Sequence, residues 1–120
     1  MRSYNRTQEE TIIKSDNPNP IDMKMVVLVD EYSASATEIV AGALKDNKVA
    51  TIVGTTTYGK GVMQEVKPIF DGALKITIEE FKTPNGDKIQ KQGITPNIIV
   101  EDDDLTEEDE KLEKAIELLK

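Results

Sequence analysis

Two patterns of apolar residues divide this chain. From residue 24 to residue 30 they form a near-continuous, largely β-branched run, Met25-Val26-Val27-Leu28-Val29. Such a run marks a strand covered on both faces, and so a parallel or mixed sheet. Residues 35–46 change to a helical period, with Ile39, Val40, Ala43 and Leu44 on one face and Ala36 a turn earlier. A second buried strand, Val49 to Val53, closes a β-α-β unit that ends at Gly54. After Gly61 the period becomes two. Val62, Gln64 and Val66 alternate with Met63, Glu65 and Lys67, and Leu74, Ile76 and Ile78 alternate with charged or Thr residues. Asp71-Gly72 and Asn85-Gly86 are tight-turn signals, and Ile98-Ile99-Val100 is a last short strand.

The ends are polar. Residues 1–22 carry one apolar pair, Ile12-Ile13, and a breaker cluster, Asn17-Pro18-Asn19-Pro20, which reads as a weak edge strand and a loop. Residues 101–120 predict an acidic amphipathic helix opened by Thr106. Thr106 and Asp109 approximate a capping box, and Leu112, Ala115, Ile116 and Leu119 make the apolar stripe. The class is α/β: a mixed sheet with a β-α-β unit, β-hairpins and a C-terminal helix, in one domain of 120 residues.

Charge and composition narrow the chemistry. Of the net charge of −8, the last twenty residues carry −7, from ten acids and three lysines. The remaining hundred residues are nearly neutral, so no basic patch predicts nucleic-acid binding. No apolar run is long enough to span a membrane. The chain has no cysteine and no histidine. That removes disulfides, thiolate nucleophiles, a Ser-His-Asp triad and the commonest metal ligand. Catalysis, if present, must use Ser, Thr, Lys, Tyr or carboxylates.

Within that restriction Ser35 and Lys60 stand out. Ser35 sits where the first strand passes into the helix, and Ser35-Ala36-Thr37-Glu38 is by itself an ordinary capping box. The same position would also suit a nucleophile, because amides at a helix N-terminus point outward and the positive end of the dipole stabilises an oxyanion. Ser33 is the rival nucleophile, but it precedes the cap and lacks that amide array. Lys60 lies 25 residues after Ser35, between Gly59 and Gly61. A loop lysine is ordinarily just solvated. To serve as a base it must be neutral near pH 7, which burial or a nearby helix N-terminus would bring about. Gln64 could hold the amine, yet four residues along an ideal strand span roughly 13 Å. The stretch Gly54 to Lys60 also matches the phosphate-binding pattern GxxxxGK. However, Gly61 replaces the magnesium-binding hydroxyl and strand-like alternation follows where a helix is needed.

Several separate motifs occur in order between Val26 and Val100. They are Ser33-Ala34-Ser35-Ala36-Thr37-Glu38-Ile39-Val40-Ala41-Gly42-Ala43-Leu44, Val53-Gly54, Tyr58-Gly59-Lys60-Gly61-Val62-Met63-Gln64, Thr83-Pro84-Asn85-Gly86, Ile89-Gln90 and Gly93-Ile94-Thr95-Pro96. Together they resemble the tail-specific, or C-terminal processing, serine peptidases. The resemblance implies a ClpP/crotonase-like core, with Ser35 as nucleophile, Lys60 as general base, Gln64 orienting the lysine and the Ala36 amide as one oxyanion donor. It implies acyl transfer that needs no metal or organic cofactor, and a protein or peptide substrate cleaved in an unstructured C-terminal region, outside the cytoplasm, by a full-length protein associated with a membrane.

Thr37, Tyr58 and Asn97 depart from the family pattern, which has Ser, Phe and Asp there. The family's PDZ domain is absent, as is the upstream half of the core whose Gly-Gly loop supplies a second oxyanion donor. The resemblance therefore implies that residues 23–100 are the C-terminal segment of a catalytic core, that Met1 is a start cut into a larger protein, and that activity alone is reduced or nil. Two other readings stand beside it. One is a non-catalytic binding or assembly module, forming a homodimer. The other is a P-loop-like nucleotide binder.

Overall fold

The computed structural model describes residues 1–19, 22–103, 105 and 108–120. The apolar run forms strand β3 (Val26–Val29), followed by helix α1 (Ala36–Asp46) and strand β4 (Thr51–Gly54). β3 and β4 pair in parallel, as do β4 and β7 (Ile98–Ile99), giving a three-stranded sheet in the order β3-β4-β7. Val29 and Ile52 pack with Ala41 of α1, and Val27 and Ala50 join that cluster. Helix α2 (Glu110–Leu119) also contacts β3 and β4 and buries Ala115. The continuous apolar run does form a strand of a parallel sheet, but it is not covered throughout: Val29 is buried, Val26 and Val27 are half-buried and Leu28 is exposed.

The antiparallel strands make a separate sheet in the order β2-β1-β6-β5, so the parallel and antiparallel pairings segregate instead of forming one mixed sheet. β5 (Val62–Ile69) and β6 (Gly72–Lys82) form a long hairpin. β2 (Glu10–Ile12) is the expected edge strand, but β1 (Arg2–Asn5) lies inside the sheet between β2 and β6. Phe81, Ile89 and Ile94 form a second core cluster, against which Met1 and Ile39 pack.

Three local expectations change. The first hairpin turns at Phe70-Asp71, because Ile69 pairs with Gly72 and leaves only two residues between the strands. Phe70 takes φ 44, the left-handed region that such tight hairpins require at their first central residue. The buried face of α1 is Glu38, Ala41 and Gly42, while Val40 is exposed. The helix lies close to the loops there: a Cβ on Gly42 would sit 3.2 Å from Ile94 and Thr83 side-chain carbons. Helix α2 is capped by Asp109, whose carboxylate accepts the Leu112 amide at 2.8 Å. The expected cap Thr106 falls outside the described residues.

Candidate active site

The turn between β3 and α1 is built on Asp30. Its carboxylate accepts the Tyr32 amide at 3.0 Å, and the Ser33 amide and hydroxyl at 2.8 Å each. The Ser33 hydroxyl also accepts the Asp30 amide at 3.1 Å. These bonds, the Ser33 hydroxyl foremost, hold the Asp30 carboxyl below its ordinary range, with the Lys111 charge adding to the effect. Ser33 is therefore a fastening of the turn.

Ser35 differs in kind. It caps α1 with φ 58 and ψ −114, a conformation that side-chain-bearing residues rarely adopt. Strain of that kind costs about 1–3 kcal/mol and persists only where surrounding bonds impose it. A sharp, strained turn from strand to helix is also how hydrolases expose a nucleophilic serine. Ala36, the first helical residue, leaves its amide outside the helical ladder and next to that serine.

The imposing bonds come from Glu38. Its side chain is fully buried, yet it accepts four hydrogen bonds. Oε2 takes the Ser35 amide and the Lys60 amide, both at 2.8 Å. Oε1 takes the Gly59 amide and the Thr57 hydroxyl, both at 2.6 Å. Charge-assisted bonds of this type contribute about 1.5–3 kcal/mol each, so the Ser35 bond alone offsets strain of that size.

The rest of the Lys60 loop is fixed with similar thoroughness. Tyr58 donates its amide to the Ser33 carbonyl at 3.0 Å, and Lys91 donates to the Gly59 carbonyl at 2.8 Å. The Gly61 amide goes to the Gln90 side chain at 2.9 Å, while the Gly61 carbonyl accepts from Phe81 at 2.7 Å. Both glycines are needed for this approach. Gly59 has φ 87, and a Cβ on Gly61 would lie 2.5 Å from the Gln90 nitrogen. The Gly59 and Lys60 amides that a bound phosphate would use are thus already taken by Glu38, and the chain runs on from Gly61 into β5.

These ties bring the backbones of Ser35 and Lys60 onto one carboxylate, but not their side chains. The Lys60 side chain is exposed, contrary to the burial its role as a base predicts, and no hydrogen bond joins its amine to the Ser35 hydroxyl. Gln64 is exposed on β5, opposite Thr77, and makes no hydrogen bond to Lys60. Glu38 and Gln90 were missed as site residues from sequence. Glu38 was legible only as half of a capping box, and Gln90 only as part of a motif.

The family model described as Peptidase family S41 matches residues 1–100. The chain belongs to that family. It is 51% identical over 78 residues to a carboxy-terminal-processing protease of Bartonella bacilliformis, covering 64% of this chain and 18% of that protein. With a carboxyl-terminal-processing protease of Synechocystis it is 40% identical over 100 residues, covering 82% of this chain and 23% of the relative. Among solved structures, the photosystem II D1 C-terminal processing protease superposes with a TM-score of 0.65 at 37% identity, over 82% of this chain and 25% of the other. The S41 chain thus spans about a fifth of the length of these curated relatives. Its family is one of serine-type peptidases, and its fold is mixed α/β like theirs.

Proposed function

We propose that this chain is the C-terminal part of the catalytic core of a C-terminal processing endopeptidase, with Ser35 and Lys60 as a Ser/Lys dyad on a ClpP/crotonase-like framework. The observation that carries the reading is the Glu38 carboxylate, which fixes the backbones of both residues while Ser35 is held in a strained turn. Glu38, Gln90 and Asp30 position that site; Ser35, Lys60 and the Ala36 amide would touch the substrate.

In the assembled core, neutral Lys60 removes the Ser35 hydroxyl proton as Oγ attacks the scissile carbonyl carbon. The Ala36 amide donates to the oxygen that becomes negative. The C–N bond then breaks, the leaving amine takes the proton from Lys60, and an ester to Ser35 remains. Water adds to that ester, giving its proton to Lys60; the C–Oγ bond then breaks, Lys60 returns the proton to Ser35 Oγ, and the new carboxyl terminus leaves. Gln64 orients the amine once both are enclosed. The enclosure and the second oxyanion donor come from parts of the core outside this chain, so that the chain alone has little or no activity. The substrate is an unstructured C-terminal segment of another protein, encountered outside the cytoplasm by a longer, membrane-associated protein. In this chain, among the described residues, no helix is long and apolar enough to cross a membrane.

The test is cleavage of an unstructured protein with an apolar C-terminus by the whole peptidase. Ser35→Ala and Lys60→Ala should each abolish it. Activity retained in Ser35→Ala would remove the assignment.

A further inference from the structure

We propose that Thr57 is a positioning residue for the peptidase reaction: its buried hydroxyl fixes the Glu38 carboxylate that carries the Ser35 and Lys60 backbones, and ties it to the core at Ile94. As a role in cleavage, this rests on the Ser35–Lys60 reading above.

Thr57 stands three residues before Lys60. Its neighbours Thr56 and Tyr58 are exposed, whereas Thr57 is buried. A hydroxyl leaves water at little cost only where it finds partners. Thr57 has two. It donates to Glu38 Oε1 at 2.6 Å and accepts the Ile94 amide at 2.7 Å. The main chain grips the same place. The Thr57 amide donates to the Ile94 carbonyl at 3.2 Å, and a Cβ on Gly93 would run into the Thr57 carbonyl.

Chemistry fixes the direction of these bonds. An amide can only donate, so Ile94 takes a lone pair of the Thr57 oxygen and the hydroxyl hydrogen is left for Glu38. Accepting the Ile94 amide polarises the hydroxyl and strengthens the bond it donates. At 2.6 Å that bond has the length of a charge-assisted one. The other three groups on the carboxylate are the backbone amides of Ser35, Gly59 and Lys60. Of the four, Thr57 alone is a side chain, so it can be removed without altering the backbone.

The far end of this chain of bonds is anchored. Ile94 is buried with Phe81 and Ile89 in the second core cluster, and the Gly93 amide donates to the Ile89 carbonyl at 2.9 Å. Without the Thr57 hydroxyl, Oε1 keeps only the Gly59 amide, and the carboxylate loses its side-chain link to that core. It can then turn about its last bond, and the Ser35 and Lys60 backbones on Oε2 shift with it. A misplacement of about 1 Å in reacting groups costs on the order of a hundredfold in rate.

Two measurements test the assignment. In the whole peptidase, Thr57→Val puts a methyl in place of the hydroxyl. It should lower kcat about tenfold to a hundredfold per folded molecule, with KM changed less than about twofold. Thr57→Ser keeps the hydroxyl and should restore most of that loss. In the 15N-labelled chain without substitution, the Ser35, Gly59, Lys60 and Ile94 amides should exchange with deuterium as one opening unit, with a common dependence on denaturant. This second measurement decides the matter if Thr57→Val does not fold. Parent kcat in Thr57→Val, an equal loss in Thr57→Val and Thr57→Ser, or exchange of Ile94 independent of the other three overturns the proposal. Exchange needs no turnover, so it fails separately from the dyad, which is judged by cleavage in Ser35→Ala.

Discussion

Ser35 and Lys60 hang from one atom. Oε2 of Glu38 accepts both of their backbone amides at 2.8 Å, although 25 residues separate them in sequence. The turn that carries Ser35 and the loop that carries Lys60 therefore cannot move independently without breaking a bond to a fully buried carboxylate.

Glu38→Gln tests that coupling. The amide would place two donors where the carboxylate presents an acceptor, facing either Thr57 and Gly59 or Ser35 and Lys60. Leaving buried donors unpaired costs about 1–3 kcal/mol each, so a loss of about 2–5 kcal/mol is expected in urea unfolding of the chain. In the whole peptidase, kcat should fall far more than KM rises. A variant as stable as the parent would show that the four bonds are not an essential tie.

How far the sequence alone disclosed this arrangement differs element by element. β3, α1 and β4 were readable because the parallel strands carry short apolar runs on either side of a helical period, and because Ser35 and Glu38 carry cap chemistry. The buried face of α1 was not, since a hydrophobic pattern has no reason to place Glu38 inside; only its four partners, up to 22 residues away, make it a core residue. β1 was missed for a similar reason. Arg2-Ser3-Tyr4-Asn5 has no alternation of its own and becomes a strand by pairing with β2 and β6. The ordered motifs put Ser35 and Lys60 forward together, and the structure ties their backbones to Glu38 without joining their side chains, while Gln90 as a loop clamp depends on a side-chain bond that no pattern announces.

Gly61→Ala probes the loop from its other side. The new Cβ would lie 2.5 Å from the Gln90 nitrogen and 2.9 Å from Ile89 Cβ, against backbone and a core side chain that cannot rotate away. We expect about 1–3 kcal/mol of destabilisation, in line with other overpacked sites. The Gly61 amide should also lose protection from hydrogen exchange as its bond to Gln90 lengthens. An unchanged melting curve would contradict the close approach.

Asn97 allows a prediction of the opposite sign. It donates its amide to the Ile52 carbonyl at 2.8 Å, and its side-chain oxygen accepts the Ile52 amide at 2.9 Å. Asn97→Ala leaves that amide of a fully buried residue without its partner, for about 1–3 kcal/mol. Asn97→Asp keeps the acceptor and adds charge to it, so stability at neutral pH should be unchanged or higher. Loss of stability in both variants would mean that the side-chain amide nitrogen is what matters.

Ser33→Ala separates the fastening of the turn from the chemistry beside it. The Ser33 hydroxyl is the chief reason the Asp30 carboxyl lies low, so its removal should bring Asp30 back toward the ordinary value of about 3.9. A carboxyl whose folded value lies below its unfolded one stabilises the fold above the unfolded value. It loses that contribution as the pH falls through the folded value. The parent should therefore exceed the variant in stability by a constant margin at neutral pH, and the margin should shrink below about pH 4. Denaturation across pH 2–7, with the Asp30 carboxyl followed by NMR, gives both quantities. In the whole peptidase Ser33→Ala should reduce cleavage without abolishing it, whereas Ser35→Ala abolishes it. The reverse order of effects would transfer the nucleophile to Ser33.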